Sequence, residues 1–205
     1  MLKNSIQFFG LPGSGKTFTL NSLLKTYPES YKSVPNFSKK ERFKLCILFV
    51  LRFPRVGIKF FLLLLNNNTK LWSYIAHLVS NSFAAHMYVL LQKEDGKTFL
   101  IDEGIFQRIL SVAPARFKET EAKKIIRLLY SVPSKVIITK GGDFGRFTLE
   151  PDRMMSHRNK LGNEYYKNWS ENLVYNFQTI SNLISEDITT YQGKTAEELH
   201  TKIQS

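Results

Sequence analysis

The eight residues "GLPGSGKT" (10–17) fit the spacing G-x-x-x-x-G-K-[ST] without a mismatch, and no other stretch constrains the chain as tightly. Residues 5–9 before it run apolar enough for a short buried strand. Residues 17–26 after it carry Phe18, Leu20, Leu23 and Leu24, which suits an amphipathic helix facing a sheet. The glycines therefore sit where a strand turns into a helix. There the first helical N–H groups lack carbonyl partners and point into the loop. Aligned peptide dipoles add partial positive charge at that end, so a phosphate is favoured. Gly13 and Gly15 can take φ above zero and let the backbone approach oxygen atoms closely. Lys16 can reach the β and γ phosphates of a nucleoside triphosphate, and the Thr17 hydroxyl can ligate Mg²⁺. The competing reading is a glycine-rich turn that matches by chance. The strand–loop–helix context favours the phosphate site, with Gly10, Leu11, Pro12, Gly13, Ser14, Gly15, Lys16, Thr17 and Phe18 as the candidate nucleotide-contacting run.

A phosphate cradle needs a metal partner, and "TFLIDEG" (98–104) offers one: an apolar strand ending in Asp102, Glu103 and Gly104. In an open parallel sheet, ligands collect at the carboxyl ends of strands, so Asp102 is expected near Thr17. Asp102 would hold Mg²⁺ with Thr17, and Glu103 or Asp102 would assist an attacking hydroxyl. The alternative is a strand-end acid that caps the next helix. Downstream, Arg146, Arg153, Arg158 and Lys160 crowd one short segment, and such guanidinium groups can stabilise a transferred phosphoryl group. Arg153 and Arg158 lie five residues apart, so on one unbroken helix they would diverge by about 140°. Which arginine acts stays open, and a solvated basic helix is the alternative. "TKGGD" misses the guanine-reading [NT]-K-x-D by one residue, and "DEG" is too short for D-x-x-G, which argues against guanine specificity. His77, His86, His157 and His200 show no metal-binding spacing.

Strands are expected at 5–9, 98–102, 134–139 and 187–191, with a short one within 31–37 that Pro35 ends. Between the second and third, Ser38 with Glu41 reads as a capping box, Pro54 as a helix start, and a further helix runs over about 70–91. Later helices are expected at 119–131, 163–185 and 194–203. Strands alternating with helices predict a parallel sheet covered on both faces, in one α/β domain over 1–205. Segment 38–92 would be a helical insertion and 141–161 a lid.

"FKLCILFVLRFPRVGIKFFLLLL" (43–65) resembles a membrane span, but Arg52, Pro54, Arg55 and Lys59 break it into apolar runs of about seven and six residues, short of the roughly twenty needed. The lone Cys46 forms no disulfide framework and suits a reducing cytoplasm. The N-terminus shows no secretory apolar stretch, so a cytoplasmic location is expected. The net charge of +12 favours polyanions, anionic lipid or phosphorylated substrates. Nucleic acid is one such partner, though not the favoured one. A peripheral membrane contact through the basic and apolar segment 39–65 is another.

With "GLPGSGKT", "FLIDEG", the arginine-bearing segment after "KVIITKGG", and "ITTYQGKTAEEL" (188–199), the chain resembles the P-loop kinase group, in the manner of thymidylate-kinase-like and other small-molecule kinases. "DEGIFQR" (102–108) is also similar to small kinase-like proteins of bacterial surface-polysaccharide gene clusters. The resemblance implies a three-layer fold with strand order 2-3-1-4-5, ATP and Mg²⁺ as cofactors, and phosphoryl transfer to a small acceptor. It implies that residues 192–195, including Lys194 and Thr195, lie against the adenine, and that Arg146, Arg153 and Arg158 belong to a lid. It implies that segment 38–92 helps to bind the acceptor: a sugar, a nucleoside or a lipid-linked intermediate. Glycine follows Asp102 and Glu103 here, where thymidylate and deoxynucleoside kinases carry D-R-[YF] or E-R-S. That departure counts against a nucleoside or nucleotide acceptor.

Overall fold

The computed structural model describes residues 5–66, 72–93, 95–113, 115–139, 163–184, 189–191 and 195–204. Five short strands form a parallel sheet: β1 (Ser5–Gly10), β2 (Tyr31–Ser33), β3 (Thr98–Ile101), β4 (Lys135–Thr139) and β5 (Thr189–Tyr191). Their order is β2-β3-β1-β4-β5, the order implied by the resemblance. The register puts Gln7 beside Ile101 and Gly10 beside Thr139, so the carboxyl ends of β1, β3 and β4 finish close together.

β1 is buried along its whole length, as a central strand covered on both faces must be. Its side chains alternate between the two faces. Ile6 and Phe8 pack with Leu20 and Leu23 of α1 (Lys16–Thr26) and Leu199 of α8 (Ala196–Gln204). Phe9 faces a larger core shared by α3 (Pro54–Asn66), α5 (Ile105–Val112), α6 (Glu119–Leu129) and α7 (Asn163–Ile184). Helices therefore lie on both sides of the sheet.

Between β2 and β3 the chain makes α2 (Lys39–Arg52), α3 and α4 (Trp72–Leu91). Ser38 and Glu41 form the expected capping box: the Ser38 N–H donates to the Glu41 carboxylate at 2.9 Å, and Glu41 N–H to Ser38 Oγ at 3.3 Å. Pro54 takes the first position of α3, where its missing N–H costs nothing. Gly57 lets α3 close onto α2, since a Cβ there would come within 2.9 Å of Val50 Cγ1. Aromatics of this segment build core: the Phe49 and Phe83 rings stack at 4.3 Å and Phe60 meets Phe83 edge-on.

β2 stops at Ser33, just before the Pro35 expected to end it, and Val34, Pro35, Asn36 and Phe37 leave the sheet. One element departs from the sequence expectation. α5 was not anticipated, and it matters most for the site. It spans about two turns, and its N-cap, Gly104, brings no capping side chain, so its start carries no side-chain signal.

Candidate functional site

The loop after β1 is built by contacts that only glycine permits. A Cβ on Gly10 would lie 2.1 Å from Thr139 Oγ1 and 2.8 Å from the Thr139 carbonyl oxygen. The Gly10 N–H donates to Gln107 Oε1 at 3.1 Å, and the Ser14 and Thr139 hydroxyls meet at 2.8 Å. α5 and β4 thus pin the loop from two sides. Gly13 and Gly15 have φ of 79° and 84°, the left-handed region that a side chain would strain. Gly15 is the N-cap of α1 and brings no capping side chain, so the first N–H groups of α1 are left for a ligand. Leu11 is buried in the core and could offer a ligand its backbone only, while Phe18 projects from α1 into solvent.

Lys16 is only 8% exposed and folds back along its own loop, donating to the Gly10 and Leu11 carbonyl oxygens at 3.0 and 2.9 Å. Burial lowers its pKa to about 8; the Arg108 charge pushes the same way and Asp102 opposes. One helical residue on, Thr17 Oγ1 donates to Asp102 Oδ2 at 2.8 Å, joining the loop to the end of β3 as the sheet order requires. Asp102 Oδ1 is buried and has no hydrogen-bond partner. A hydroxyl beside a carboxylate oxygen without a partner fits Mg²⁺, a hard cation that takes few protein oxygens and completes its shell with phosphate and water. Among the described residues no group of three His, Cys, Asp or Glu side chains could hold a metal by itself.

Glu103 is not free. Its carboxylate is ion-paired with Arg108 Nη2, and Arg108 Nε donates to Ser82 Oγ at 3.1 Å. Ser82 in turn donates to the Glu103 carbonyl at 2.6 Å. Arg108 is buried in α5, which lowers its pKa to about 10, and it keeps its charge at neutral pH. An arginine therefore meets the acidic strand end although none follows it directly in sequence. "DEGIFQR" contains Arg108 but gave it no role, and the further signal was one charge inside the mostly apolar "IFQRILSV".

Two further residues fix the start of α5. Gln7 Oε1 accepts from Phe106 N–H at 3.2 Å and lies where a Cβ on Gly104 would intrude, at 2.2 Å. His86 Nε2 accepts from Ile105 N–H at 3.3 Å. Complete burial takes the His86 pKa down to about 3, so the ring is neutral and its proton sits on Nδ1. His86 is a structural histidine.

Beside Asp102 opens a cleft of about 390 Å³. Asp102, Glu103 and Arg108 form one wall; Phe37, Arg42 and Asn81 contribute to the other. Arg42 Nη1 donates to Asn81 Oδ1 at 3.3 Å across α2 and α4. Segment 38–92 thus lends side chains to a cleft that adjoins the phosphate loop. Thr195 caps α8, accepting from Glu198 N–H at 3.3 Å. Arg146, Arg153, Arg158 and the whole 141–161 segment, together with Lys194, lie outside the described residues.

No protein-family model matches this chain, and no curated protein matches it in sequence. Among solved structures it is similar to deoxyadenosine kinase from M. mycoides with bound dATP, at 14% identity and a TM-score of 0.46 over 98% of this chain and all of that one. The same kinase with products dCMP and a flexible dCDP bound gives 15% identity and a TM-score of 0.47 over 98% and 94%. At that distance the likeness adds nothing to the fold assignment, which rests on the strand order and the loop. The architecture is a three-layer α/β fold with a glycine-rich phosphate loop between its central strand and first helix.

Proposed function

We propose that the protein transfers the γ-phosphoryl group of ATP, with Mg²⁺, to a hydroxyl of a small-molecule acceptor held in the cleft. The observation that carries this reading is the Thr17–Asp102 hydrogen bond, which joins a complete phosphate loop to an acidic strand end at the edge of a cavity. Lys16 would leave the Gly10 and Leu11 carbonyls for the β and γ phosphates, and the α1 N–H groups would cradle them. Thr17 and Asp102 would hold Mg²⁺, which when bound supplies charge neutralisation at the phosphate oxygens.

In the transfer, the acceptor oxygen bonds to the γ phosphorus and the bond from that phosphorus to the β–γ bridging oxygen breaks, releasing ADP. The acceptor proton passes to Asp102 or Glu103. Arg108 fixes the Glu103 carboxylate on the cleft wall. Arg146, Arg153 or Arg158, from a lid over 141–161, would stabilise the transferred charge, and residues 192–195 would flank the adenine. Segment 38–92 would shape the acceptor site through Arg42 and Asn81. The acceptor is then a sugar, a nucleoside or a lipid-linked intermediate whose polar groups answer two guanidiniums and two carboxylates.

The test follows ATP conversion to ADP with Mg²⁺, in wild type and Lys16→Ala, against separate pools of nucleosides, nucleotides, sugars, lipid-linked glycans and oligonucleotides. Turnover dependent on one pool, reduced by a factor of at least about a hundred in Lys16→Ala, is expected. Wild-type turnover in a folded Lys16→Ala protein would refute the assignment.

A further inference from the structure

The helices α2 and α3 carry an apolar surface that the core does not use. Phe43, Leu51, Ile58, Phe61, Leu62 and Leu65 each leave more than half of their surface exposed, and Ile47 nearly half. On α2, residues 40, 43, 44, 47 and 51 fall within an arc of about 100° at 100° per residue. That places Lys40 and Lys44 on the same face as Phe43, Ile47 and Leu51. On α3, residues 55, 58, 61, 62 and 65 share an arc of about 120° by the same count, so Arg55 borders the apolar stripe. The opposite side of each helix is filled: Phe49 of α2 and Val56, Phe60, Leu63 and Leu64 of α3 are buried. Large exposed apolar patches mark contact surfaces.

The charge around the patch says what it contacts. Segment 39–66 holds seven Lys or Arg residues against one carboxylate, Glu41, which lies about 60° outside the α2 arc and accepts from the Ser38 N–H. Lys59 is answered by Glu121 of α6, whereas Lys40, Lys44 and Arg55 make no ion pair with another described residue. A two-fold contact between copies would set this face against itself and bring these cations together without counter-charges. An anionic lipid surface instead accepts the apolar side chains at the acyl boundary and the cations among its headgroups. No helix among the described residues is long and apolar enough to cross a membrane, so the contact lies in the interface plane.

We infer that the outward face of α2 and α3 docks the protein on an anionic lipid bilayer. This stands independently of the phosphoryl-transfer reading. The experiment is co-sedimentation of the full chain with phosphatidylcholine vesicles, with and without phosphatidylglycerol, at low and high salt. The expected result is binding to the anionic vesicles alone, weakened by salt. Lys40→Glu with Lys44→Glu, and separately Leu51→Ser with Phe61→Ser, should each weaken binding at least about tenfold, with thermal unfolding unchanged. Because the replaced side chains are exposed, both variants should fold, and the charge pair tests the inference even if the apolar pair does not. Equal binding to neutral vesicles, or none to anionic ones, overturns it. So does dimerisation in analytical ultracentrifugation that Phe61→Ser abolishes, or salt-sensitive binding to oligonucleotides without binding to vesicles.

Discussion

Lys16 supplies a prediction that needs no knowledge of the acceptor. In the nucleotide-free fold its pKa is about 8 against an ordinary 10.5, because burial penalises the ammonium. Converted at about 1.4 kcal/mol per pH unit, that lowering is worth roughly 3 kcal/mol. A bound triphosphate places anionic oxygens at Nζ and restores the charged form. Above pH 8, binding must therefore take up a proton, and affinity falls as pH rises. With the bound-state pKa back at its ordinary value, the Kd for a non-hydrolysable ATP analogue with Mg²⁺ rises about tenfold between pH 7 and pH 9. Isothermal titration in buffers of different ionisation enthalpy reads both numbers. Proton uptake should climb from near zero at pH 7 toward one per site at pH 9. Lys16→Arg, which keeps its charge throughout this range, should flatten the profile. A Kd that stays constant from pH 7 to 9 with no proton uptake refutes the reasoning. So does a slope that survives in Lys16→Arg.

Gly10→Ala forces a Cβ against Thr139 Oγ1 and its carbonyl oxygen, where the backbone cannot yield freely. It should lower stability by about 1–3 kcal/mol in denaturant unfolding and abolish binding of the ATP analogue; wild-type affinity in this variant would mean the loop is not the nucleotide site. Ser38→Ala removes the cap of α2 and should cost about 1 kcal/mol of stability while leaving analogue affinity unchanged, both read by titration.

The sequence by itself determined the parts whose chemistry is local. Spacing alone marks Gly10, Gly15, Lys16 and Thr17, because a phosphate cradle is made from consecutive backbone N–H groups at one helix start. Ser38 and Glu41 are legible as a cap for the same reason: both hydrogen bonds close within four residues. The sheet order follows from alternating strands and helices together with the family resemblance, and Asp102 is legible as the last residue of an apolar run.

Tertiary structure alone decided what surrounds that cradle. Arg108 meets Glu103 only because the chain turns into α5 right after Gly104 and packs against β1, and no side-chain cap announces that start. The hydrogen bond from Gly10 to Gln107 joins residues far apart in sequence, as do the contacts of Thr139 with Gly10 and Ser14. Arg42 and Asn81 reach one cleft from separate helices. Composition could mark 39–65 as basic and apolar, but which of its side chains are core and which face outward depended on how α2 and α3 pack. Local hydrogen bonds and dipoles are written in neighbouring residues. Burial, ion pairing and cavity shape arise between elements, and they exist only once the sheet has brought those elements together.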